Sequence, residues 1–93
     1  MNKQIAFPDA TPDYCAAGPC LDCAATVDGH PATYSVTAEA LEDHFGARSL
    51  RADDLLCAFQ HHRQEIQDVA RALFEMTGAH RIVLHSGHFR FAG

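Results

Sequence analysis

LDCAATVDGHPATYSV, residues 21–36, reads as two β-strands joined by a two-residue turn. Asp28-Gly29 is preferred hairpin chemistry, because both central residues of such a turn take positive φ. A two-residue turn there sets the register. Val27 falls opposite His30, Ala25 opposite Ala32, Cys23 opposite Tyr34 and Leu21 opposite Val36. Strand side chains alternate between faces, so these eight share one, and it is the apolar one. Asp22, Ala24, Thr26, Thr33 and Ser35 take the other, which suits solvent. Pro31 falls opposite Thr26 in a non-hydrogen-bonded pair, where its missing N–H costs little.

Working outward from the hairpin, Thr37 has the chemistry of an N-cap for a helix over 38–45. Glu39 is favourable near the start of that helix, and Gly46 can end it in the left-handed conformation. A second, long helix is expected from Ala52 to just before Gly78. Its stripe is Leu55, Phe59, His62, Ile66, Val69, Leu73 and Met76, spaced alternately four and three apart, and Leu56, Ala70 and Phe74 widen it. Upstream, Lys3–Phe7 reads as a short strand ended by Pro8, and residues 8–19 read as a loop holding three of the four prolines. Downstream, Arg81–His85 and His88–Phe91 read as a second hairpin around Ser86-Gly87. The expected architecture is α+β: an antiparallel sheet from two β-hairpins plus an N-terminal strand, covered on one face by one short and one long helix.

The chain has 93 residues, enough for a single domain over residues 1–93, and 47% of them are hydrophobic. No run approaches the roughly 20 apolar residues of a membrane span. Met1–Ala6 lacks the apolar segment of a signal peptide, so a cytoplasmic location is expected. The net charge is −5, with seven Lys and Arg in all, scattered along the chain. Duplex binding draws much of its affinity from basic side chains that displace counterions, so nucleic acid is not an expected partner. The same balance argues against an anionic membrane surface.

Chemistry-bearing residues are few in kind. Cys15, Cys20 and Cys23 have C-x4-C-x2-C spacing, with Cys57 further on. That is the spacing of plant-type [2Fe–2S] ferredoxins, whose clusters need four thiolates. A zinc site from three thiols and a histidine is a comparable possibility. Against both, the hairpin register points Cys23 into the core, where cysteine serves as a small apolar filler. Structural thiols are the preferred reading, with no cofactor.

Seven histidines are present. His61 and His62 are about 100° apart on a helix and cannot share a face. His85 and His88 would face each other across the second hairpin, near enough to hold one metal ion with His80 or His30. An exposed polar tip is the simpler explanation, and His30 and His44 are ordinary surface positions. No Gly-x-Ser-x-Gly elbow, phosphate loop or HExxH helix occurs. Glu42-Asp43 and Asp53-Asp54 suit helix ends. No catalytic, cofactor-binding or metal residue is assigned.

VDGHPATYSVTAEALEDHFG and DLLCAFQHHRQEIQDVARALFE, with Ile5-Ala6-Phe7 before them, together resemble the bacterial domain-of-unknown-function family 1488. Ala58-Phe59 and Arg63-Gln-Glu-Ile66 carry the later part of the likeness. These are core and capping residues, so the resemblance implies a fold, an antiparallel sheet covered on one side by helices, and no activity. The expectation is a small non-enzymatic binding or regulatory domain. Its partner would be a protein or a second copy of itself, with any small-molecule ligand unknown. The alternative is a metal or iron–sulfur redox protein using the Cys15/Cys20/Cys23 loop.

Overall fold

The computed structural model describes residues 3–89. Its elements are β1 (Ile5–Ala6), β2 (Asp13–Cys15), β3 (Cys20–Val27), β4 (His30–Thr37), α1 (Ala38–Phe45), α2 (Ala52–His61), α3 (Arg63–Thr77) and β5 (Arg81–Leu84). A 3-10 turn over Ser86–Phe89 follows. The class is α+β, a mixed five-stranded sheet with three helices. The first hairpin has the expected register at every pair, from Leu21 opposite Val36 to Val27 opposite His30. Asp28 and Gly29 both have positive φ, 52° and 81°.

Four expectations are corrected. The second hairpin does not form: β5 runs parallel to β4, pairing Tyr34 with Ile82 and Val36 with Leu84. After β5 the chain turns tightly, with the His88 N–H donating to the His85 carbonyl at 2.9 Å. His88 and Phe89 therefore belong to a turn, and the rest of the expected strand, Arg90 and Phe91, lies outside the described residues. The sheet is consequently mixed rather than antiparallel. The long helix is two helices, α2 and α3, broken at His62 (φ −127°, ψ 24°). The region 8–19 contains β2, which pairs antiparallel with the first part of β3. The N-terminal strand is trimmed to Ile5–Ala6, paired with Val27 and Thr26 at the other end of β3.

β3 thus carries two short partners along one edge and β4 along the other, giving the order β1/β2–β3–β4–β5. One face of the sheet is covered. Leu21, Cys23, Ala25 and Val27 of β3, Ala32, Tyr34 and Val36 of β4, and Ile82 and Leu84 of β5 are buried there. The helices supply the facing layer, chiefly Leu41, Leu55, Phe59, Ile66 and Phe74. Tyr34 is its centre, edge-on to Phe7 at 5.5 Å and to Phe74 at 6.5 Å between ring centroids. In α3 the buried residues are Ile66, Ala70 and Phe74, one turn apart, while Met76 is 77% exposed. The break at His62 has rotated the stripe away from Met76.

α1 begins and ends as its sequence predicts. The Ala40 N–H donates to the Thr37 hydroxyl at 3.1 Å, and Gly46 takes φ 73°. Among the described residues, no helix is long and apolar enough to cross a membrane.

Candidate thiol and carboxylate site

Among the described residues, the open face of the sheet holds the densest group of metal-ligating side chains. β2 and β3 form a ribbon joined by residues 16–19, with Cys15 directly opposite Cys20 and Asp13 opposite Asp22. Opposed residues of an antiparallel pair point to the same face, and so do residues two apart on one strand. Cys15, Cys20, Asp13 and Asp22 therefore occupy one side of this ribbon. The donor atoms of Cys15, Cys20 and Asp22 all lie within 4.8 Å of one another, and all three residues are half-buried. They are the one such three-donor group among the described residues.

Hydrogen bonds position the group. The Cys20 thiol donates to Asp22 Oδ1 at 3.7 Å, and the Ser35 hydroxyl donates to the same oxygen at 2.5 Å. The Cys15 thiol points back to the Ala17 carbonyl at 3.6 Å. Burial, and next the charge of Asp22, push the Cys20 thiol up from an ordinary value of 9.0 to about 11, with Cys15 adding to the effect. The site favours positive charge: Asp22 holds a proton on Cys20, and the same field attracts a cation.

Cys23 is one residue out of phase and lies on the opposite face. It is 4% exposed within the core, and its thiol faces the Leu21 carbonyl at 3.8 Å. Desolvation pushes it up to about 12, although a hydrogen bond from Tyr34 acts the other way. Cys57 is exposed on α2 with its sulfur 3.6 Å from His61 Nδ1. Four thiols gathered around one cluster, as the ferredoxin spacing requires, are not what this fold assembles. Neither are all four passive filling. Cys23 is filler, whereas Cys15 and Cys20 stand together outside the core.

The histidines also separate. His30 pairs with His80, ring centroids 6.2 Å apart. His85 and His88 lie 5.8 Å apart, but within one turn rather than across a hairpin. His88 Nδ1 there accepts the His85 N–H at 2.8 Å, which ties that ring nitrogen to the backbone. His44 Nε2 is bonded to Ser86.

Asp22 is the ligand candidate that sequence reasoning passed over, being placed on the solvent face as an ordinary polar residue. The signal was present in the hairpin register, which puts Asp22 on the same face as Cys20 and opposite to Cys23. Cys57-x-x-x-His61 is likewise one helical turn apart in the sequence.

A family model described as "Protein of unknown function (DUF1488)" matches residues 5–84, nearly the whole of the described chain. No curated protein and no solved structure matches significantly. The matched span runs from the first residue of β1 to the last of β5, and the chain belongs to this family.

Proposed function

We propose that this is a small non-enzymatic binding domain whose ligand is a thiophilic divalent metal ion of the zinc type, held by Cys15, Cys20 and Asp22. The carrying observation is the 4.8 Å clustering of two thiols and a carboxylate across the β2–β3 ribbon. Zinc–sulfur bonds of about 2.3 Å at the tetrahedral angle separate two sulfurs by about 3.8 Å, so side-chain adjustment of about 1 Å closes the site. Asp13, on the same face opposite Asp22, or water completes four-coordination.

A reversible disulfide between Cys15 and Cys20 is the competing use of the same residues, because they are directly opposed. Disulfide exchange needs a thiolate. Burial and the charge of Asp22 hold the proton on Cys20, and Asp22 adds a carboxylate that exchange does not use but a metal ion does. A metal ion drives off that proton directly, which is why the metal reading is favoured.

Titration with zinc alone, and cobalt(II) as a spectroscopic stand-in, tests this. The expected result is one ion per chain, with sulfur-to-cobalt charge-transfer absorption that disappears in Cys20→Ser and weakens in Asp22→Asn. Cys23→Ala and Cys57→Ser should leave it intact. Binding must displace the Cys20 proton, so apparent affinity should rise at least about tenfold per pH unit through neutrality. Zinc binding no tighter than that of Cys20→Ser, or a pH-independent affinity, refutes the proposal.

A further inference from the structure

Each thiol of this chain has a distinct environment. Cys23 is sealed in the core and pushed up to about 12. Cys20 is pushed up to about 11 beside Asp22, and Cys15 faces the same carboxylate. Cys57 alone stands next to a base rather than an acid. It is exposed on α2, and one helical turn on, His61 Nδ1 lies 3.6 Å from its sulfur. An imidazole at that position can accept the thiol proton, which is the arrangement that turns a thiol into a nucleophile.

The pair also has a place for a reactant. Cys57 and His61 line a cavity of about 400 Å³ between the end of α1 and α2, a size that suits a small molecule. Its walls bring charged and titratable groups from each neighbouring segment. Arg48 comes from the α1–α2 connection, Asp54 from the first turn of α2, and His62 from the break before α3. The Asp54 carboxylate is engaged by the Ser49 hydroxyl at 2.5 Å. His62 Nδ1 is engaged by Glu65 at 3.1 Å. Arg48 is the permanent cation of the cavity, and among the described residues no hydrogen bond or ion pair from its side chain is found.

We propose that Cys57 is a modification site, which takes up a small anionic disulfide as a mixed disulfide in this cavity. His61 Nδ1 accepts the Cys57 proton. The thiolate sulfur attacks one sulfur of R–S–S–R, the S–S bond breaks, and Cys57–S–S–R forms. The other half leaves as RS⁻ and takes the proton from the imidazolium. The Cys57 sulfur is oxidised and the departing thiol reduced, so no further oxidant is needed. Arg48 selects for anionic R groups. The site shares no residue with the metal group on the sheet, so each proposal can fail without the other.

The test is a stopped-flow reaction of the whole chain with dithiobis(nitrobenzoate), a dianionic aromatic disulfide, and in parallel with cystamine, a dicationic one. Peptide mass mapping then locates the first thiol to react. One fast equivalent should map to Cys57 and vanish in Cys57→Ser. In His61→Gln its rate at neutral pH should fall about tenfold, and the pH profile of the rate should change. Arg48→Gln should slow the dianionic probe and spare the dicationic one. Cys57 and His61 are exposed, so neither variant disturbs the core, and far-ultraviolet circular dichroism confirms the fold. A fast equivalent that survives Cys57→Ser overturns the proposal. An unchanged rate in His61→Gln, or equal slowing of both probes in Arg48→Gln, does the same.

Discussion

Cys23 shows how one buried thiol shapes stability. Its folded value of about 12 lies above the ordinary 9.0 because the charged form would be stranded in the core. Between these values the folded protein keeps a proton that the unfolded chain releases. The stability is therefore fully present below pH 9 and is lost as pH rises toward 12, by up to about 1.4 kcal/mol per pH unit from this group. Tyr34 acts in the same direction at higher pH, since burial raises its phenol too. Urea unfolding midpoints should hold up to about pH 9 and then decline. The decline should be shallower in Cys23→Ala, which removes this titration and leaves the contributions of Cys20, raised to about 11 at a more exposed site, and of Tyr34. An equally steep decline in the variant would show that Cys23 is not the group responsible. The inward aim of Cys23 was legible from strand alternation alone. The partnership of Cys15 with Cys20 was not, because the prolines flanking Tyr14 gave residues 8–19 the composition of a loop. β2 exists through pairing with β3, a tertiary interaction that local composition does not carry.

At the scale of elements, the break between α2 and α3 separates what periodicity can and cannot show. A four-three spacing of apolar residues passes straight through His62, and nothing in it signals an interruption. His62 nevertheless leaves the helical conformation, packs its ring 5.0 Å from Phe45 and engages Glu65. One non-helical residue preserves the count along the chain but changes the rotation of everything after it. The buried stripe of α3 becomes Ile66, Ala70 and Phe74, with Val69 and Leu73 partly covered at its margin. Two substitutions separate the stripes. Phe74→Ala, at a position with no exposure, should destabilise by about 3–5 kcal/mol through lost burial and the cavity left behind. Met76→Lys should stay within about 0.5 kcal/mol, as expected for a surface position. A continuous helix would place Met76 inside and make the lysine variant severely unstable, so thermal melts of the pair distinguish the two geometries.

For the molecule as a whole, the direction of β5 is the feature that alternation could not disclose. Ile82 and Leu84 face the core in either direction, so the strand itself was visible and its partner was not. Ser86-Gly87 looked like a hairpin turn, yet the strand's partner is β4, reached by a crossover through all three helices. A parallel pair needs such a long connection, and here the whole helical layer supplies it. β5 forms the sheet edge beside β4, with Leu84 fully buried and the Thr33 N–H donating to the His80 carbonyl at 2.9 Å. β1 is held differently. It is two residues long, on the opposite edge, and secured by Arg71, which donates to the Ile5 carbonyl at 3.0 Å and lies over the Phe7 ring. Amide exchange should reflect this contrast, because strands anchored in the buried core open only with global unfolding while lightly held segments open locally. The bonded amides of β5 should exchange with the same free energy as those of β3 and β4, and those of β1 faster. Arg71→Ala should accelerate β1 further and leave β5 tied to the global value. Exchange of β5 as rapid as that of β1 would mean that the parallel strand is an appendage rather than the closing element of the core.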